Sequence, residues 1–431
     1  MAIWSELTTS RYPIYCEREI WLGFHDGSLP SGRAQWTSFT AMCCLSLYHA
    51  REGATFSQET GFPQDVAALA AQLRGDIDGM IPTDFIADQG LELARSYAFL
   101  VVLGIESKDY PLAHRYLALW HGLCGIMTFH DEDRWPSNLS ECDIEMRRRL
   151  FWIFYRLELQ VSYVSGHIIR CPEAQSQVSY PKGTHHPPFV PGRNGMFEDW
   201  FKGWNRTNDV YKLLEHAIIK LRAKKRSKTP AIDREPSDSE LHLKLNQLQQ
   251  SMPFEFTQAY DRSLDSGRNR CGFQAISITG AVLIARVISG LAAGHELSQT
   301  LHFARSMVCT LQAAPAEYLR ALSPSLVQNL KGVALVLCHQ STAQKTTDDV
   351  SGLLQDVVTL FKCLRPPNDE SIASIESLAI QLNAHSVLPA LSYASPFTLG
   401  PLDEGDLWSA DNLAVDFAAF LNACGQPCGG S

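Results

Sequence analysis

The sequence lacks a second close cysteine pair, a basic surplus and an unbroken apolar run, and each absence removes a class of function. Structural zinc sites need ligands that converge tetrahedrally, which chains supply as paired cysteines or histidines roughly two to four residues apart. Of the 12 cysteines, only Cys424 and Cys428 have such a spacing, and Cys43 adjoins Cys44. Neither a zinc finger nor a binuclear zinc cluster is encoded, and no metal or other cofactor is expected. Basic residues number 37 against 46 acidic ones, a formal net charge of -9. A chain of that sign has no general attraction to phosphate, so direct DNA binding is not expected. The most apolar window, Ala275 to Ala293, is interrupted by Thr279, Gly280, Arg286, Ser289 and Gly290, so no membrane span is expected. Met1-Ala2-Ile3-Trp4-Ser5-Glu6 has no signal-peptide plan, and reduced thiols in an intracellular protein are expected. Phosphate-binding glycine loops, H-E-x-x-H and the G-x-S-x-G nucleophile elbow are all missing, which argues against an enzyme.

What the chain does have is helical periodicity. Hydrophobic residues make up 45% and charged residues 19%, enough apolar material for a core and too much for general disorder. Apolar positions recur three and four apart almost throughout, so the fold is read as all-α, a multi-helix array of two packed helical subdomains. Helices are expected over 37–50, 64–79, 85–102, 110–128, 141–164, 209–225, 239–248, 272–293, 298–312, 316–322, 326–339, 347–363, 371–385 and 413–422. Five prolines make 172–205 an irregular crossover. A first helical domain spans 1–221, a charged exposed linker 222–240, a second helical subdomain 241–400, and an acidic-hydrophobic tail 401–431.

The most informative stretch is 138–164. Ser140 and Asp143 form a capping box, and Glu141 and Asp143 suit the positive end of the helix dipole. Met146, Leu150, Ile153, Leu157 and Val161 make one apolar stripe, widened by Phe151, Phe154 and Tyr155. This helix is expected at the centre of a core. Arg147, Arg148 and Arg149 point about 100° apart, so they cannot form one phosphate-binding row and are expected to pair with carboxylates.

The run Arg147-Arg148-Arg149-Leu150-Phe151-Trp152, followed by Tyr155 and Glu158, resembles the core motif of the fungal-specific transcription factor domain, the middle homology region of zinc binuclear cluster regulators. Ala94 to Gly104, Ala113-His114-Arg115-Tyr116 and Gly125 to Asp131 are similar too, and the likeness runs from about Trp36 to Pro181. It departs from the family at Gly166-His167-Ile168, where glycine-arginine-proline is usual, and in having no zinc cluster. The resemblance implies a regulatory and dimerisation domain over 1–221 that acts through protein partners, either by self-association or with a DNA-binding regulator. It also implies a nuclear protein controlling a specialised-metabolism gene cluster, with a small-molecule effector as a further partner. The competing reading is a cytoplasmic small-molecule binder, or an enzyme working by shape, on the same scaffold.

Other polar groups are weighed individually. His114 and His121 share a helix face with His130 nearby, and ordinary hydrogen bonding is expected of them rather than metal binding. His185 and His186 fall in the crossover. Trp120, Trp135, Trp152, Trp200 and Trp204 suit a core or an apolar pocket. The basic run Lys220, Arg222, Lys224, Lys225, Arg226 and Lys228 is a candidate import signal in a solvated linker. Asp403, Glu404, Asp406, Trp408, Phe417 and Phe420 mark a candidate activation tail.

Overall fold

The computed structural model describes residues 9–51, 65–81, 90–182, 200–225, 238–257, 261, 266–293, 297–344, 348–364 and 370–387. The fold is all-α. In chain order the helices are α1 (Thr9–Arg11), α2 (Glu17–Asp26), α3 (Arg33–Arg51), α4 (Val66–Met80), α5 (Gly90–Glu106), α6 (Tyr110–Ile126) and α7 (Glu141–Ser165). They continue as α8 (Phe201–Lys225), α9 (Asp238–Gln250), α10 (Ser266–Ala293), α11 (Leu297–Gln312), α12 (Ala316–Gln344), α13 (Asp348–Leu364) and α14 (Glu370–Val387). Among the described residues there is no strand, only one parallel bridge between Asp131 and Gln177.

The helix ends follow from capping chemistry. Asp65 accepts the Ala68 N–H at 2.8 Å and Asp109 the Leu112 N–H at 3.1 Å, each satisfying a donor that α4 or α6 would otherwise strand. Ser140 Oγ accepts the Asp143 N–H at 3.1 Å and donates to the Asp143 carboxylate at 2.7 Å, tying the start of α7 twice. Gly166 ends α7 at φ 70, a left-handed conformation that glycine adopts without strain.

Packing overrides the local pattern in four places. Helices α1 and α2 form where none is expected. Helix α8 begins at Phe201 rather than 209 because its first turn buries Phe201 and Trp204, next to buried Trp200. The segments 316–322 and 326–339 are one helix running through Pro324. Pro324 removes one backbone bond and favours a break, but Leu319, Leu322, Leu326, Val327 and Leu330 are all buried along that helix, and their packing keeps it continuous. Helix α10 is more apolar than its interruptions suggest. Gly267–Ala293 contains a window of mean hydropathy 1.9, long and apolar enough to cross a membrane, and 78% of that window is buried within the protein. Its interior is covered by α8, α9, α11 and α12, and Arg286 donates to Asn246 at 2.8 Å and Gln249 at 2.7 Å on α9.

One apolar core runs from Tyr12 to Ile375, with α7 inside it. Met146, Leu150, Ile153, Leu157 and Val161 are buried as the stripe requires, with Phe151, Trp152, Phe154 and Tyr155. Trp120 of α6 stacks flat on Phe154, with centroids 3.9 Å apart and planes 4° apart. Phe151 is 2% exposed, so Phe151→Ala should lower unfolding stability by about 3–5 kcal/mol through lost transfer energy and an unfilled cavity. Urea denaturation measures this, and a variant as stable as the parent would place Phe151 outside the core.

Candidate functional site

The three adjacent arginines of α7 each find a different partner. Arg147 donates to Met127 O at 3.2 Å and lies over the Phe129 ring, 4.8 Å from its centroid. Arg148 makes a two-pronged pair with Glu132, 2.8 and 2.9 Å. Arg149 is 1% exposed, donates to Glu145 one turn back at 2.9 Å and lies over Phe201 at 4.2 Å. All three guanidiniums are spent inside the protein, two of them on carboxylates.

The irregular chain after Gly166 is held by glutamates. Glu158 accepts the N–H groups of Arg170 at 2.6 Å and Cys171 at 3.2 Å. Glu215 of α8 accepts that of Glu173 at 3.1 Å and the Tyr155 hydroxyl at 2.6 Å. Glu132 accepts that of Ser179 at 2.7 Å, and Glu145 that of Lys182 at 2.9 Å. Trp152 Nε1 donates to Ser179 O at 3.0 Å, so the motif tryptophan both packs and fastens the same segment. Burial pushes the Glu215 carboxyl up, with the Tyr155 bond opposing it. Burial also works against Glu132, but Arg148 and the Ser179 N–H outweigh it and hold that carboxyl down.

Where α1, α7, α8, α10 and α12 meet, they enclose a cavity of about 80 Å³, partly open to solvent. At ~10–15 Å³ per water it has room for several waters or a molecule of a few heavy atoms. Its polar wall includes Arg11, Tyr12, Arg156, Tyr211, Gln274 and Ser277, and its apolar wall includes Leu157, Trp204, Ile284 and Leu326. Arg11 Nη1 donates to Glu106 at 2.5 Å. The Arg11 carbonyl receives both Arg156 Nη2 and Trp204 Nε1, each at 3.1 Å. Gly203 sits against Gln274 and Phe256. A Cβ there would fall 2.3 Å from Gln274 Oε1, so a side chain at that position would push Gln274 aside.

The histidines are placed by the same packing. His114 Nε2 lies 3.2 Å from Ser165 Oγ, and its ring is 4.3 Å from that of His167. Burial, then His167 and Arg170, hold its imidazole at about 4. His121 Nε2 lies 3.2 Å from Glu158 Oε1. Among the described residues no group of three His, Cys, Asp or Glu is placed to hold a metal ion. The described cysteines are free thiols.

The basic run is not uniformly solvated, as its composition suggests. Helix α8 continues to Lys225 and carries Lys220 and Arg222 with it. Arg222 is tied down, donating to Ser162 O at 3.0 Å, Ser162 Oγ at 2.8 Å and His167 O at 2.5 Å. The last turn of α7 leaves carbonyls without helical partners, and a guanidinium on the adjacent helix satisfies them. Lys224 and Lys225 end the same helix. Arg226 and Lys228 lie outside the described residues, as do His185, His186 and the tail residues Asp403, Glu404, Asp406, Trp408, Phe417 and Phe420. The cavity's contribution from Ser10, Arg11 and Tyr12 had no signal in the sequence, because α1 has only three residues and no periodicity to read. Arg156, one residue after Tyr155 of the motif, was visible as a charge on an apolar helix face.

The family model of the fungal specific transcription factor domain matches residues 9–187. That range begins at α1, ends in the crossover and contains the whole of α7. No curated protein matches the chain.

Replacing Glu158 with Ala should free the Arg170 and Cys171 N–H groups, each worth about 1–3 kcal/mol when left unmade. Amide hydrogen exchange is then expected to speed up at those two residues while Ser179, held by Glu132, keeps its rate. Unchanged exchange at Arg170 and Cys171 would show that the carboxylate does not order this loop.

Proposed function

We propose that this chain is the regulatory part of a transcription regulator, which receives a small-molecule signal and reaches DNA through a protein partner. The match of residues 9–187 to the fungal transcription factor domain carries the reading. It is supported by what the arginine triplet does, since guanidiniums already spent on Glu132, Glu145 and Met127 O are not offered to phosphate. The cavity supports it as well, because its walls join α7 of the matched range to α10 and α12 beyond it. A molecule bound there touches both parts of the chain, the arrangement an effector needs to alter how one part presents itself. In this reading the chain works in the nucleus, self-associates or joins a DNA-binding regulator, and controls genes of a specialised-metabolism cluster.

Two experiments test it. In a gel-shift titration at physiological salt the purified chain should show no sequence-specific DNA affinity tighter than about micromolar, the range of non-specific binding. Tighter, sequence-dependent retardation would mean that the chain reads DNA itself. In cells a fluorescent fusion should be nuclear and should move towards the cytoplasm when Lys224, Lys225 and Arg226 are all changed to Ala. Arg222 stays intact in that variant because its bonds to Ser162 and His167 are part of the fold. A parent fusion excluded from the nucleus would overturn the regulatory reading and favour a cytoplasmic small-molecule binder.

A further inference from the structure

The central cavity holds an excess of positive charge. Two guanidiniums reach it, and the Glu106 carboxylate that answers them belongs to Arg11. Arg156 is 8% exposed, lies over Trp204 at 4.2 Å from the ring centroid, and donates to Arg11 O at 3.1 Å. Among the described residues no carboxylate is within ion-pair distance of it. The phenols beside it, Tyr12 and Tyr211, are pushed up by burial and carry no negative charge near neutral pH. Burial draws Arg156 itself down to about 10, so it stays cationic at neutral pH. A buried cation without a counter-ion is costly, and an interior that keeps one has a use for it.

The facing wall has the opposite deficiency. Gln274 is 3% exposed and its Oε1 has no hydrogen-bond partner, while its Nε2 reaches Ser10 O only at 3.4 Å. Ser277 Oγ, one turn along α10, is buried without a partner as well. Residues three apart share a helix face, and both side chains line the cavity, with Gln274 Oε1 lying towards Gly203 of α8. A ligand that matches these walls has one negative charge for Arg156 and a hydroxyl for the Gln274–Ser277 face, with an apolar body against Leu157, Trp204 and Ile284. A dianion would bring more negative charge than the single free guanidinium balances, and a zwitterion would leave that charge standing.

We propose that this cavity binds a small organic monocarboxylate bearing a hydroxyl group, with its carboxylate on Arg156 and its hydroxyl on the Gln274–Ser277 face of α10. The inference rests on the regulatory reading only in taking this acid as the signal. The binding itself is read on the purified chain.

Lactate, a hydroxy acid of only a few heavy atoms with an apolar methyl group, matches the cavity volume and is the probe, and lactamide is its neutral counterpart. Thermal melting and titration calorimetry of the full chain should show stabilisation by millimolar lactate and none by lactamide or by chloride at the same concentration. Arg156→Gln should weaken lactate binding by about tenfold or more, a loss of roughly 1.4 kcal/mol. Arg156→Met separates a ligand-holding role from a structural one. In buffer without organic acid it should melt at or above the parent, because it removes an unbalanced charge, whereas Arg11→Met should melt lower because it strands Glu106. Any of three results would overturn the proposal: no stabilisation of the parent by lactate, equal effects of acid, amide and chloride, or an Arg156→Met variant that melts well below the parent. Each leaves the nuclear fusion result untouched, and a cytoplasmic fusion leaves the binding result untouched.

Discussion

Five main-chain N–H groups from Arg170 to Lys182, those of Arg170, Cys171, Glu173, Ser179 and Lys182, are taken by four glutamates. Glu158, Glu215, Glu132 and Glu145 each accept at least one. An unmade bond of this kind costs about 1–3 kcal/mol when the group is shielded from water, and more when the stranded partner is charged. The acids sit on α7, on α8 and on the 3₁₀ turn at Glu132–Arg134, so the irregular segment fastens these elements to one another. Trp152 packs edge-on against Tyr180 of that segment and donates to Ser179 O, and Tyr155 reaches the segment through the Glu215 carboxylate that also holds Glu173.

The arginines show how little a residue type says without its neighbours. Arg148 and Arg149 answer carboxylates, Arg147 a carbonyl and an aromatic ring, and Arg222 the free carbonyls at the end of α7. Arg11 has Glu106. Among the described residues, Arg156 has a carbonyl and the face of Trp204 and no carboxylate. Two guanidiniums lining one cavity with one carboxylate between them create a difference in charge that no list of basic residues contains. It arises because the three-residue helix α1 is laid across α7, α8 and α10, bringing Arg11 within reach of both Glu106 and Arg156.

The cavity also shows how small residues shape a polar site at a distance. Gly203 on α8 leaves the space in which Gln274 and Phe256 lie against that helix. With a Cβ at that position Gln274 would be displaced from the cavity wall. A glycine inside a helix is unfavourable by about 1 kcal/mol relative to alanine, and here that weakness accompanies a close approach that α8 and α10 use to meet.

The sequence by itself determined the all-α class, the capped start of α7 at Ser140, the apolar stripe from Met146 to Val161 and the divergence of the three arginines, because each depends on spacing along one helix. It also carried the family likeness, since the motif from Arg147 to Glu158 is contiguous. Tertiary structure alone decided the rest. Helix α12 runs through Pro324 because burial along its length outweighs one missing backbone bond, and α10 is a core helix because other helices cover an apolar surface that composition alone would allow in a membrane. The cavity joins residues as distant as Arg11, Arg156 and Gln274, and periodicity does not relate positions on different helices. Which charges are balanced depends on distances across the fold, so that property appeared only when the helices were packed.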